Sequence, residues 1–175
     1  MGNHELAQWT GQWIAKEDTD LNESFQTGIA TAYGAKASDV FAAYLRLFAV
    51  LPAMIRTANR VLLSHSLPIA ARMAQFEMLR LKTEEWQPED LARGGALYSL
   101  VWGRDTLPAT VAAFLQKTDA DWLITGHIPC DDGFAAPNDR QIILDAKGSP
   151  AAYCLFPADQ PIDHERLVSC IHLVS

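Results

Sequence analysis

The sequence predicts an α/β fold, and three observations carry that expectation. Two short apolar runs, Val61 to Leu63 and Trp122 to Ile124, have the length and composition of strands buried on both faces. A histidine follows each run within three residues, His65 in the first case and His127 in the second. Segments with apolar residues at helical spacing lie before and between them. At 175 residues, with 49% hydrophobic and 20% charged side chains, the chain has the size and make-up of one compact domain.

Taken in order, Leu6, Trp9, Trp13 and Ile14 place a helix over about residues 3–16, with His4 where a loop turns into it. The stretch from Asp18 to Lys36, rich in Asp, Thr, Gly and Ser, reads as a surface loop. A helix follows from Ser38, its N-cap, to Leu51; it buries Val40, Phe41, Tyr44, Leu45 and Phe48 and stops at Pro52. The first apolar strand then ends before Pro68. Ile69 to Lys82 carries an uneven helical pattern in Met73, Phe76, Leu79 and Leu81. Pro88 to Arg93 is a short helix with Glu89 and Asp90 suited to its first turn, closed by Gly94 and Gly95.

The stretch "LVWGRDT" leads to an amphipathic helix, Thr110 to Lys117, which feeds the second strand, "DWLITGH". A polar loop follows, with Pro129, Asp131, Asp132 and Gly133. "RQIILDA" and "AAYCLF" read as a β-hairpin around Gly148 and Pro150. The closing "DHERLVSCIHLV" fits a helix or a strand, with strand favoured.

A formal net charge of -7 gives no general attraction to nucleic acid or anionic lipid, so neither is expected as a partner. Cys130, Cys154 and Cys170 are odd in number and lack tight spacing, which suits a reducing cytoplasm better than a disulfide framework. No apolar run reaches the length of a membrane helix, and Met1 is not followed by a secretory leader.

Asn3 and His4 before a helix, and His65 and His127 after strands, share one geometry. In layered α/β proteins the loops at the carboxyl ends of the strands converge on the ligand crevice. Imidazole nitrogens with an amide oxygen suit manganese, iron or zinc in an open, reactive site. For each histidine taken alone, the alternative is a hydrogen-bonded residue at a strand end.

In this order the motifs "GNHE", "VLLSHSLP", "WGRD" and "ITGH" resemble the calcineurin-like metallophosphoesterases, the branch containing the Ser/Thr protein phosphatases and the bacterial diadenosine polyphosphate hydrolases. The resemblance implies a layered α-β-β-α sandwich. It implies that Asn3, His65 and His127 ligate one metal of a binuclear centre, that His4 protonates or stabilises the leaving oxygen, and that Glu5 orients His4. The candidate for the family's phosphate clamp is Arg104, which follows the short apolar stretch Leu100 to Trp102, read as a strand; the alternative is a surface arginine paired with Asp105. The substrate is a phosphorylated small molecule or a phosphoprotein. Ser66 stands where protein phosphatases usually carry glycine, and their closing Ser-Ala-Pro-Asn-Tyr-Cys stretch is not reproduced.

The resemblance also implies two earlier motifs, Gly-Asp-x-His-Gly and Gly-Asp-x-x-Asp-Arg-Gly, which this sequence lacks. The expectation is therefore that residues 1–175 form the C-terminal portion of a single metallophosphoesterase domain without its N-terminal strands. On that expectation the chain is weak or inactive alone and associates through exposed strand edges. The alternative is a non-catalytic metal-binding pseudoenzyme or interaction module.

Overall fold

A computed structural model of the chain describes all residues except 17, 18, 83, 84 and 175, and leaves the side chains of 15, 16, 79 and 82 undescribed. The start of the loop expected at Asp18 and the core role expected of Leu79 therefore lie outside the described residues. The chain forms two compact units, Met1–Pro52 and Ala53–Ser175.

The first unit is helical. Helix α1 spans Asn3–Thr10 and ends at Gly11, whose φ of +68° is open to glycine at little cost. It stops short of the expected residue 16, and Trp13 is left 74% exposed. A short ladder pairs β1 (Ala15–Lys16) with β2 (Thr19–Asp20). The loop expected up to Lys36 is mostly a helix, α2 (Leu21–Tyr33). Its composition argues against a helix, but the Asp20 carboxylate accepts from the Asn22 and Glu23 N–H groups and starts one. Phe25 then packs edge-on against Tyr44, at 5.4 Å between ring centroids. Helix α3 (Ala37–Val50) begins after a 3₁₀ turn through Gly34–Lys36, so Ser38 lies inside it and is not its cap. Of its expected core residues Phe48 is buried, while Val40, Phe41, Tyr44 and Leu45 are half-buried.

The second unit is α/β. Its strands are β3 (Met54–Arg56), β4 (Val61–Ser64), β5 (Trp122–Thr125), β6 (Phe134–Asn138) and β7 (Gln141–Leu144), joined in one sheet of order β3-β4-β5-β7-β6. The three inner strands run parallel, and both edges are antiparallel. The register aligns Leu63 with Ile124 and Ile124 with Ile142, so these apolar side chains share one face. That face packs with Leu167, Phe156 and Ile162. The other face carries Leu62, Leu123 and Ile143, all buried. The edge strand β6 contains Pro137 and a register irregularity, two features that discourage further pairing.

Short helices α4 (Ala70–Met73), α5 (Pro88–Leu91) and α6 (Ala96–Trp102) connect β4 to α7 (Pro108–Thr118), which packs on β5. The helical pattern over Ile69 to Lys82 is broken in practice into α4 and a 3₁₀ turn, Met78–Lys82. Leu100 to Trp102 is the end of α6, so Arg104 follows a helix and not a strand.

The expected hairpin is also re-paired. β7 pairs with β6, while β8 (Ala151–Cys154) pairs with β9 (Ile171–Val174). "FAAPN" has too few β-branched residues to announce a strand, so its place beside β7 could not be read from composition. The segment from β7 to β8 keeps one backbone link, Ala152 N–H to Asp145 O at 3.0 Å. The closing segment uses both readings of its sequence: α8 (His164–Ser169), capped by Asp163, runs straight into β9. No described helix is long and apolar enough to cross a membrane.

Candidate metal centre

Strands β4 and β5 are neighbours and parallel, so their carboxyl ends lie side by side and the residues just beyond them meet. The meeting point is the pair His65 and His127. His65 Nε2 stands 2.9 Å from His127 Nδ1. The backbone also closes there, with Gly126 N–H donating to His65 O at 3.2 Å. His127 adopts φ +68°, a left-handed conformation that turns the chain out of β5 directly at the imidazole.

Two elements hold the His65 side of the pair. Ser64 Oγ donates to Ser66 O at 2.6 Å, and the buried Ser66 hydroxyl donates to Gly103 O. Gly103 is pressed against the same loop: a Cβ there would stand 1.8 Å from Leu67 O. The loop after β4 is thus bonded to the end of α6. At that helix end the Trp102 ring stands perpendicular to the His127 ring, with centroids 6.4 Å apart and planes at 87°.

The 2.9 Å separation has a chemical reading. Two nitrogen ligands about 2.1 Å from one ion, roughly 90° apart, stand about 3.0 Å from each other. The pair fits two adjacent corners of an octahedral ion, and in the absence of an ion one shared proton makes the same spacing a hydrogen bond. Among the described residues no group of three or more His, Cys, Asp or Glu is gathered to hold a metal. The second unit therefore offers two imidazoles, a partial set.

The other expected residues sit as follows. Asn3 and His4 open α1, Asn3 buried and His4 exposed. Glu5 Oε2 accepts from Gly2 N–H at 2.8 Å, so this carboxylate is engaged in capping α1. Arg104 is exposed. Asp105 does not serve it as a partner in the way a surface pair would; its two oxygens accept from Ala70 N–H at 2.8 Å and Leu107 N–H at 2.9 Å. Of the two histidines left unassigned by sequence, His164 packs on Trp122, and His172 stacks on Tyr153 with centroids 5.2 Å apart.

No family model matches the sequence, and no curated protein does. Solved structures do match. A protein serine/threonine phosphatase from Saccharomyces cerevisiae, described as similar to human phosphatase PP5, superimposes with a TM-score of 0.57 at 13% identity, over 86% of this chain and 53% of that one. The fold resembles that of a phosphatase. At this identity the likeness concerns the fold alone, and the chain spans about half of the yeast phosphatase chain.

Proposed function

We propose that the protein is a phosphoesterase-type metal-binding domain, built to act on a phosphate ester with a divalent ion such as manganese, iron or zinc. The single observation that carries this reading is the facing of His65 Nε2 and His127 Nδ1 at 2.9 Å beyond two adjacent parallel strands. The phosphatase-like fold supports it. A divalent ion, when bound, supplies Lewis-acid activation of water and neutralises phosphoryl charge.

The chain's own groups have the following roles. His65 and His127 bind the ion as neutral imidazoles, with the Trp102 ring standing perpendicular beside His127. Arg104, exposed and able to present a planar fork of donors, holds phosphate oxygens. The resemblance adds Asn3 to the ligand set and gives His4 the proton for the leaving oxygen. The substrate is a phosphorylated small molecule or a phosphoprotein.

A second reading is favoured by one observation, the absence of a third His, Cys, Asp or Glu ligand beside the pair among the described residues. It is a metal-binding module without turnover. Calorimetric titration with manganese and zinc, run beside hydrolysis of a phenyl phosphate ester, separates the two. One-to-one binding that is lost in His65→Ala and His127→Gly, with hydrolysis, supports the enzyme. The same binding without hydrolysis supports the module. Metal binding that persists in both variants, or no binding at all, overturns both. Asn3→Ala in the same titration tests the third ligand separately.

A further inference from the structure

On the α6 side of Trp102 lies an open cleft of about 270 Å³. Its charged lining residues, among those described, are Arg72 and Arg93; Tyr98, Ser99 and Trp102 line it beside them, together with Ile69 and two glycines. Both arginines are exposed, and neither belongs to an ion pair seen among the described residues. Arg72 makes one long bond, 3.5 Å, to Gln75 Oε1. On its far side an adjoining cleft contains Asp90 and Glu77. Asp90 is already held by Arg80 through two bonds of 3.0 and 2.9 Å, and Glu77 is exposed.

This concentration of cations runs against the chain as a whole, which carries a net charge of -7. Diffuse attraction of anions is therefore absent, and an anion that binds here does so through local donors. The Arg72 guanidinium lies 3.4 Å, an ordinary contact distance, from where a Cβ on Gly94 would be, and Gly94 has φ +93°, so glycine shapes the turn beside the cation. Trp102 also lines the cleft, with its indole Nε1 buried away from solvent. Two arginine forks and the Ser99 hydroxyl give a wall rich in donors, with no carboxylate among the described lining residues.

We propose that this cleft is an oxyanion subsite, and that it takes a second phosphoryl group of a ligand whose first lies at the His65–His127 pair. Trp102 joins the two places, since it lines the cleft and touches His127. The class of ligand is then a polyphosphate chain or a phosphate ester carrying a further phosphoryl group. The bridging to the histidines rests on the function proposed above; the anion subsite stands on the cleft alone.

The test is calorimetric titration with inorganic tripolyphosphate in chelated, metal-free buffer, with orthophosphate as the comparison. Arg72→Ala and Arg93→Ala each weaken tripolyphosphate binding at least tenfold, because a charge-assisted bidentate contact is lost. Both arginines are exposed, so melting temperatures stay near wild type. Arg166→Ala, an exposed arginine outside the cleft, leaves binding unchanged. Tripolyphosphate affinity that is unaffected by the two cleft variants, or no tighter than that of orthophosphate, overturns the proposal. If the cleft variants lose binding while the histidine variants bind no metal differently from wild type, the subsite holds and the phosphoesterase reading fails.

Discussion

His65 Nε2 and His127 Nδ1 face each other at 2.9 Å although 62 positions separate them in sequence. The parallel pairing of β4 and β5 brings them together, and the left-handed backbone at His127 keeps the second ring on the first. That conformation separates the backbone role of residue 127 from its imidazole role. His127→Gly and His127→Ala both remove the imidazole, but alanine must also bear a φ near +68°, at a cost of about 1 kcal/mol. The glycine variant is expected to be the more stable by about that amount in urea unfolding. Equal stabilities would show that the turn relaxes and that His127 is not held in place by its backbone.

Gly103→Ala is expected to damage the site from a distance. The new methyl would meet Leu67 O at 1.8 Å, and backbone rather than a flexible side chain must yield. The expected cost is about 2–4 kcal/mol. The loop bearing His65 is bonded to Gly103 through Ser66, so on the function proposed above the metal affinity read by titration falls as well. A melting temperature within a degree of wild type would show that the loop moves freely.

The Arg80–Asp90 pair tests a different term. Asp90 is 3% exposed, and its carboxylate receives Arg80 Nε and Nη2 together with the Gln87 N–H. Arg80→Ala strands a buried carboxylate and is expected to cost about 3 kcal/mol. Adding Asp90→Asn removes the stranded charge and recovers part of the loss. If the double variant is no better than the single in denaturant midpoint, the loss comes from arginine packing and not from charge.

Asp145 provides the pH dependence. Bonds from the Cys130 and Lys147 backbone N–H groups, at 3.0 and 2.9 Å, hold its carboxyl below the ordinary value of 3.8. A carboxylate with a lowered folded-state pKa stabilises the fold above its unfolded value, and that stabilisation is lost as pH falls through the folded value. Asp145→Ala is therefore expected to lower the melting temperature at pH 7, with the gap to wild type closing as pH falls below the ordinary carboxylate range. A gap that persists undiminished in acid would assign the effect to packing.

Much of the candidate site was legible in the chain because strand ends announce themselves locally. An apolar run followed by a polar, ring-bearing residue is visible in "VLLSH" and "WLITGH" without any partner strand. The face-to-face contact was not legible, because it depends on which strands are adjacent. Arg104 shows the opposite case. Leu100 to Trp102 is apolar enough for a strand, yet these three residues complete a helix of only seven, too short to display a clear period. The arginine cleft was missed for the same reason: Arg72, Arg93 and Trp102 come from three separate segments with no common motif. The helix over Leu21–Tyr33 was hidden by its Ser, Thr and Gly content, and its signal was the single capping residue Asp20.

The sequence by itself determined the α/β class, the two buried strands and the placing of a histidine beyond each, because burial periodicity and turn chemistry act over a few residues. Tertiary structure alone decided that β4 and β5 are parallel neighbours, that "FAAPN" completes the sheet, and that Trp102 stands between a histidine pair and an arginine-lined cleft. Pairing and register arise from side chains that lie far apart along the chain and meet only when the core closes. No local preference encodes such a meeting.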